Sequence, residues 1–292
     1  MRIDLHTHTR ASDGTQTAQE LVRAAKEAGL DVLGLTDHDT TEGWATAVRA
    51  AEEVGLTLVR GMEISTRHLG RGAHLLAYLP DPTYPPLVTH LRKILDGRSS
   101  RVPAMLERLR SIGIEVDIAD VRRAAEGTAA TGRPHVADAL VALGVVRDRS
   151  TAFRRFLNPG RPAYVNRYAA PLVEMVRIVD EAGGVSVLAH PWGRHGADAM
   201  PERAIAELAG LGLAGLEVDH QDHAPDDRTR LRAIARELDL VVTGSSDHHG
   251  LGKHDHDLGC HTTAPEDYER LLALAEAASL RSGRTTPEVV NT

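Results

Sequence analysis

The residues of this chain that could do chemistry fall in short clusters. Near the amino terminus, His6-Thr7-His8 is followed by Asp13 within RIDLHTHTRASDG. Ile3 and Leu5 alternate with Asp4 and His6, as in a short strand that ends in polar residues. Histidines two apart on an extended backbone point to one face. Two imidazoles converging from one strand end can grip one metal ion, with Asp13 in reach on the following loop. Taken alone, the pair reads more plainly as two solvated histidines, because motifs this short often match by chance. The clusters recur downstream, however. They are Thr36-Asp37-His38-Asp39, Gly61-Met62-Glu63, His74, Ala189-His190-Pro191 and Ser246-Asp247-His248-His249. Mixed imidazole and carboxylate ligands suit Mn, Fe or Zn better than Mg or Ca.

The elements that must position these residues alternate in type. Thr17 and Glu20 have capping-box spacing ahead of Leu21, Val22 and Ala25, so a helix is expected to run to about Gly29. A strand at 31–35 leads into His38. A helix from about Thr41 to Gly55 carries Trp44, Ala47, Val48 and Ala51 at helical spacing. Leu56 to Val59 is a third strand, ending in Gly61 to Ser65, and Ala73 to Tyr78 a fourth. From about 80 to 162 strand-like runs nearly vanish. Asp81 to Pro86 looks like a linker, and helices are expected over Val102–Ile112, Ile118–Ala125, Pro134–Leu143 and Thr151–Leu157. Alternation then resumes. Helices at about Pro171–Ala182, Pro201–Leu211, Asp227–Leu238 and Pro265–Leu280 flank strands at 185–189, 215–218 and 240–243. Seven strand runs, mostly separated by helices, point to a parallel α/β barrel, whose active site lies at the carboxyl ends of the strands. A doubly wound sheet would also alternate. It would not need ligands from both extremities of the chain, and no glycine-rich loop follows the first strand. The expected organisation is a barrel domain of 1–79 and 163–292 with a helical insertion, 80–162, serving as a substrate cap.

Bulk composition narrows the class. The chain has 292 residues, 42% of them hydrophobic, enough for a substantial core. Its net charge of −7 and its aromatic content of 3% argue against a long nucleic-acid groove. Cys260 is the only cysteine, which excludes an intrachain disulfide and a thiolate zinc site. No signal segment or apolar run of transmembrane length is seen, so a cytoplasmic protein with no membrane partner is expected.

His6, His8, Asp13, His38, Glu63, His74, His190, Asp247 and His249 together resemble the metal-ligand set of the PHP family, named for polymerase and histidinol phosphatase. The resemblance covers residues 1–79 and roughly 163–260. It implies a distorted (β/α)7 barrel with three divalent metal ions, Mn2+ first and Fe2+ or Zn2+ as alternatives. By that resemblance His6, His8, Glu63 and Asp247 hold one ion. Glu63 bridges to a second, held also by His74 and His190, and Asp13, His38 and His249 hold the third. Three such ions bring +6 against −3 from the carboxylates, leaving positive charge for a bridging hydroxide and a phosphate dianion. The implied chemistry is attack of that hydroxide on a phosphate ester, with Asp13, His38, Glu63, Asp247 and His249 as the catalytic set. Asp37 and Asp39 are candidates for supporting the ligands. Asp39 would serve equally as a helix cap.

The substrate side is carried by Thr131-Gly132-Arg133-Pro134-His135-Val136-Ala137. Pro134 suits a first helical position, so backbone N–H groups and the Arg133 fork would face an anion. An exposed helix cap is the plainer alternative. The stretch resembles the GRPHVA segment of PHP members that cleave nucleoside 3′,5′-bisphosphates and short RNA 5′ ends. By that resemblance Arg133 and His135 grip substrate phosphates. Arg194, after His190-Pro191, resembles a second phosphate contact, although Trp192 is an extra residue in that turn. Trp192 is read as stacking on a base or as packing. His220 could act as general acid or support a ligand, His254 and His256 read as surface residues, and Glu217 as a buried carboxylate with a partner.

The expected activity is removal of the 3′-phosphate from nucleoside 3′,5′-bisphosphates, with trimming of short RNA 5′ ends beside it. Histidinol phosphate hydrolysis is the enzymatic alternative. An amidohydrolase reading is disfavoured, because none of Lys26, Lys93 and Lys253 ends an early strand as a metal-bridging lysine would. A catalytically silent metal-binding module serving a larger assembly is the non-enzymatic alternative.

Overall fold

The structure, a computed structural model, describes residues 1–125, 128–193 and 196–291. Its sheet is assembled from β1 (Ile3–Thr7), β2 (Val32–Leu35), β3 (Thr57–His68), β4 (Arg71–Tyr78), β5 (Ala170–Pro171), β6 (Val185–Ala189), β7 (Gly215–Asp219) and β8 (Val241–Gly244). The strand order is β1-β2-β3-β4-β6-β7-β8, with the two-residue β5 pairing on β3. A bridge from Thr7 to His248 brings the chain after β8 back to β1, so the sheet is a nearly closed barrel.

One expectation is corrected here. The barrel is not fully parallel: β4 runs antiparallel to both β3 and β6. Leu69 and Gly70 form a two-residue turn with φ of 46° and 78°, as in a tight hairpin. β3 is therefore much longer than expected, and Glu63 lies within it. The reversal explains how His74, at the start of its strand, shares a rim with residues at the ends of the others.

The alternating helices are α1 (Ala18–Glu27), α2 (Trp44–Val54), α8 (Leu172–Glu181), α9 (Glu202–Ala209), α10 (Pro225–Glu237) and α11 (Pro265–Ser282). Thr17 and Glu20 form the expected capping box of α1, and Gly29 adopts a left-handed φ of 75° after it. Leu21, Val22, Trp44, Met175 and Ile205 pack with Leu33, Leu58, Leu188 and Leu216 in the principal core. A second cluster joins Ile3, Leu5, Val59, Tyr78, Val187 and Val241 to Tyr268 and Leu271 of α11. β1 and β2 approach so closely that a Cβ on Gly34 would lie 2.3 Å from Leu5 O. β1 also carries one extra residue relative to β2 between Asp4 and Thr7, a bulge of the kind that re-aims side chains beside sites.

Between β4 and β5 the described chain is helical: α3 (Pro85–Ser100), α4 (Val102–Ser111), α5 (Ile118–Ala124), α6 (Arg133–Ala142) and α7 (Arg149–Ala152). The prolines read as linker open α3, where Leu87, Leu91 and Ile94 pack into the barrel core. The helix expected over 151–157 is instead α7 followed by a π turn at Phe153–Leu157. Val102, Leu106, Leu109, Val136, Leu140 and Leu157 form a separate apolar cluster here. Arg149, held by Asp138 of α6, ties this segment to the barrel by donating to Asp13 O at 2.9 Å.

Candidate metal centre

The rim gathers all nine metal-ligand candidates. His6 Nε2 and His8 Nε2 lie 3.0 Å apart. Glu63 Oε2 is 3.3 Å from the first and 3.2 Å from the second. Asp247 Oδ1 is 3.5 and 3.4 Å from the same two nitrogens. The other Glu63 oxygen, Oε1, faces His74 Nδ1 at 2.6 Å and His190 Nε2 at 3.0 Å. A third group forms around Asp13, whose Oδ1 is 3.2 Å from His249 Nε2 and whose Oδ2 is 3.7 Å from His38 Nε2. Glu63 therefore divides its two oxygens between two sets of histidines. His38 also stands between groups, with Nδ1 3.1 Å from Glu63 Oε2.

These donors fit cations. The contacts of His6 with Glu63, of His6 and His8 with Asp247 and of His38 with Asp13, at 3.3 to 3.7 Å, are longer than good hydrogen bonds. Among the described residues, Asp247 Oδ1 is buried with no hydrogen-bond partner. Burial alone would push the carboxyls of Asp13, Glu63 and Asp247 up. The charges of His249 and His38 on Asp13, of His38, His74 and His6 on Glu63, and of Lys253, His6 and His249 on Asp247 outweigh it. All three stay well below the ordinary carboxylate range. Burial also opposes the charge on His8, but Asp247, Glu63 and Asp13 carry it up to about 9. His190, where burial prevails, falls to about 4. Buried anions facing lone-pair nitrogens are what a divalent cation satisfies.

A surrounding set of carboxylates and histidines fixes the ligands; Glu217, His220, Asp37 and Asp39 of it were candidates in the sequence, and Asp4 was not. Glu217 Oε1 takes His6 Nδ1 at 2.9 Å, which turns His6 Nε2 into the cage, and Glu217 Oε2 accepts His190 N–H at 2.8 Å. This is the partner expected for Glu217, and it orients a ligand. Asp4, also fully buried, accepts the N–H of Ser246 at 3.0 Å and of Gly259 at 2.9 Å, anchoring the loop of Asp247. Its one sequence signal is a charge inside an apolar strand. His220 accepts Asp222 N–H on Nδ1 at 3.0 Å, so its Nε2 donates to Asp247 Oδ2 at 3.2 Å. Lys253 pairs with the same oxygen.

Asp37 accepts from Thr9 N–H, Thr9 Oγ1 and Ser12 Oγ, holding the loop that carries Asp13. Asp39 is not a helix cap. Gly43 holds that position for α2, and Asp39 instead binds Ser65 N–H at 2.6 Å and Arg98 at 2.8 Å. His256, expected on the surface, is buried beside Asp222, with Nε2 3.6 Å from Asp222 Oδ1. Trp192 packs: it is buried, its Nε1 donates to Met200 O at 2.8 Å, and it joins the core.

On the substrate side, Arg133 opens α6 and lies over the rings of Phe153 and Tyr164, 5.5 and 5.6 Å from their centroids. It also donates to Leu157 O at 3.2 Å. His135 Nδ1 accepts Gly132 N–H at 3.0 Å. Arg194 lies outside the described residues.

Comparison with known proteins agrees with this geometry. The model of the PHP domain matches residues 4–84. The chain is 35% identical to the 3′,5′-nucleoside bisphosphate phosphatase of Chromobacterium violaceum, over 96% of this chain and 98% of that one. The chain belongs to the PHP family. A second relative, a 5′-3′ exoribonuclease of Haemophilus influenzae, is 34% identical over 85% of this chain and 90% of its own length. A Bifidobacterium adolescentis crystal structure, provisionally described as a metal-dependent phosphoesterase, superposes with a TM-score of 0.89 and 36% identity. The match covers 93% of this chain and 96% of that one. Among the described residues, no helix is long and apolar enough to cross a membrane.

Proposed function

We propose that this PHP protein is a metal-dependent phosphoesterase that removes the 3′-phosphate of nucleoside 3′,5′-bisphosphates. Shortening of RNA 5′ ends stands beside it as a second activity, favoured by the likeness to the H. influenzae exoribonuclease. The observation that carries the reading is the division of Glu63 between two histidine groups, with Asp13 organising a third. Three divalent ions fit this pattern, Mn2+ before Fe2+ or Zn2+. His6, His8, Glu63 and Asp247 would hold one. Glu63, His74 and His190 would hold the second, and Asp13, His38 and His249 the third. When bound, such ions supply Lewis acidity: they activate water and neutralise charge on the phosphoryl oxygens.

The protein's own residues supply the rest. Glu217 and Asp37 keep His6 and the Asp13 loop in register. The helical segment 80–162 would act as a cap over the substrate, with Arg133 and His135 toward phosphate and Arg194 as a further contact. A cytoplasmic location accords with a free-nucleotide substrate.

The test begins with chelator-stripped protein reloaded with Mn2+. Phosphate release is compared on adenosine 3′,5′-bisphosphate, histidinol phosphate and a short 5′-phosphorylated RNA. The bisphosphate is expected to turn over fastest. Asp247→Asn is expected to lower its kcat/KM at least about 100-fold, the upper end of what losing an outer partner costs. Faster turnover of histidinol phosphate would overturn the substrate, and no metal-dependent release from any of the three would favour a silent module.

A further inference from the structure

Two of the three residues that would hold the third ion sit on loops rather than strands. Asp13 lies past β1, which ends at Thr7, and His249 past β8, which ends at Gly244. A ligand on a loop keeps its place only if something outside the loop braces it. Asp37 braces the Asp13 loop from the barrel side. The helical segment braces it from the other side: Ala129 N–H donates to Ala11 O at 2.9 Å, and Arg149 Nη1 to Asp13 O at 2.9 Å.

The setting of Arg149 suits it to this contact. Asp148 caps α7 by accepting Thr151 N–H at 2.6 Å, so Arg149 departs from a pinned first turn. Its Nε donates to Asp138 Oδ1 at 2.7 Å and its Nη2 bonds the other oxygen. That fork fixes the plane of the guanidinium and leaves Nη1 for the barrel. Asp138 also balances its charge, so the group is not waiting for an anion. The same guanidinium lies against the His249 loop. A Cβ on Gly252 would stand 2.9 Å from Arg149 Cζ, and Gly252 N–H donates to His249 O at 3.2 Å. Thr15 N–H donates to that oxygen too, at 3.1 Å. The Asp13 and His249 loops therefore meet each other and Arg149 in one place.

We propose that Arg149 is a positioning residue for the third ion. It sets the spacing of Asp13 and His249, so the ion held by them and His38 binds at full affinity only with the helical segment in place. This rests on the three-ion reading and adds a dependence to it. The ligands of the other two ions stand on or next to strands, or on the loop that Asp4 anchors, and do not touch Arg149. By linkage, the third ion in turn holds the helical segment down with the same coupling.

The experiment titrates chelator-stripped protein with Mn2+ and reads free ion by its electron paramagnetic resonance signal, which needs no turnover. Wild type is expected to take up three ions. Arg149→Gln is expected to keep two with unchanged affinity and to bind the third about 10- to 100-fold more weakly, the range for losing an outer partner of a ligand. Arg149→Lys keeps the charge but cannot hold Asp138 and Asp13 together, and is expected to fall between. Asp138→Asn leaves every ligand in place and is expected to weaken the third ion in the same direction. Amide exchange over 133–152 reads the reciprocal effect: it is expected to slow in wild type as the third ion is added, and not in Arg149→Gln. Equal weakening of all three ions, as in a general loosening of the fold, would overturn this role. So would a third ion unchanged in Arg149→Gln and Asp138→Asn. If Arg149→Gln does not fold, Asp138→Asn decides alone. Wild type that takes up fewer than three ions removes the three-ion reading itself, whereas three tight ions in every variant remove only the role of Arg149.

Discussion

Glu217 shows how much of the metal centre depends on groups that never touch a metal. Its carboxylate takes the outer nitrogen of His6 and the amide of His190, two ligand candidates from opposite sides of Glu63. Replacing it with glutamine keeps the volume and removes the charge. Glu217→Gln is expected to weaken Mn2+ retention about 10- to 100-fold, as losses of outer carboxylates do. Titration of stripped protein with Mn2+ would show it, and unchanged affinity would mean His6 is held by packing alone. The nine cage residues were legible in the sequence because histidine and acid recur at the edges of apolar runs. Asp4 was not, and Glu217 and His220 were read only as a buried carboxylate with a partner and as a general acid or ligand support, without the partner of either. A buried charge inside a strand is compatible with many partners, and only the fold says that Glu217 belongs to His6 and His220 to Asp247.

At the scale of elements, the cage depends on how closely β1 lies against β2. Gly34 permits that approach, since any side chain there would run into the backbone of Leu5. Gly34→Ala is expected to cost about 1–3 kcal/mol, as overpacking does, and to loosen metal retention, because β1 carries His6 and His8. Gly72→Ala in β4 is the control, having nothing within 4 Å of the added carbon. Denaturant melts and metal content together decide it, and equal behaviour of the two variants would remove the strand-spacing argument. The alternation of strands and helices was readable from apolar periodicity. The direction of β4 was missed, although the ten residues between Glu63 and His74 leave too little chain for a crossover helix. α3 was missed as well. Its stripe of Leu87, Leu91 and Ile94 was present, but the prolines at its start read as a linker rather than a first helical turn.

For the molecule as a whole, removing metal leaves a cage of like and unlike charges whose balance follows pH. In stripped protein the His8 imidazole is held up to about 9, against 6.5 for a free one. Its contribution to stability is complete below pH 6.5 and disappears as pH rises through 9. The depressed carboxylates of Asp13, Glu63 and Asp247 work the other way: their contribution is present above the ordinary carboxylate range and lost in strong acid. The Tm of stripped protein is thus expected to fall between pH 6.5 and 9. The stabilisation gained on adding Mn2+ should grow over the same interval, because proton and metal compete for His8. Thermal melts at pH 6, 7.5 and 9, with and without Mn2+, measure both. A flat or rising Tm for stripped protein would show that His8 is not charged there.

The backward course of β4 has a consequence at the far end of the next helix. A strand running down delivers the chain to the foot of the barrel, where Asp81 N–H meets Ala182 O and Tyr84 bonds Glu181 at the tail of α8. From there α3 ascends alongside α8, and its 16 residues span about 24 Å at 1.5 Å each. Arg98 and Arg101 thereby arrive at the mouth on a stiff mast rather than a slack tether. Had the strand pointed upward like its neighbours, the connecting chain would already have been at the mouth, and the guanidinium groups would have lost the scaffold that fixes their height.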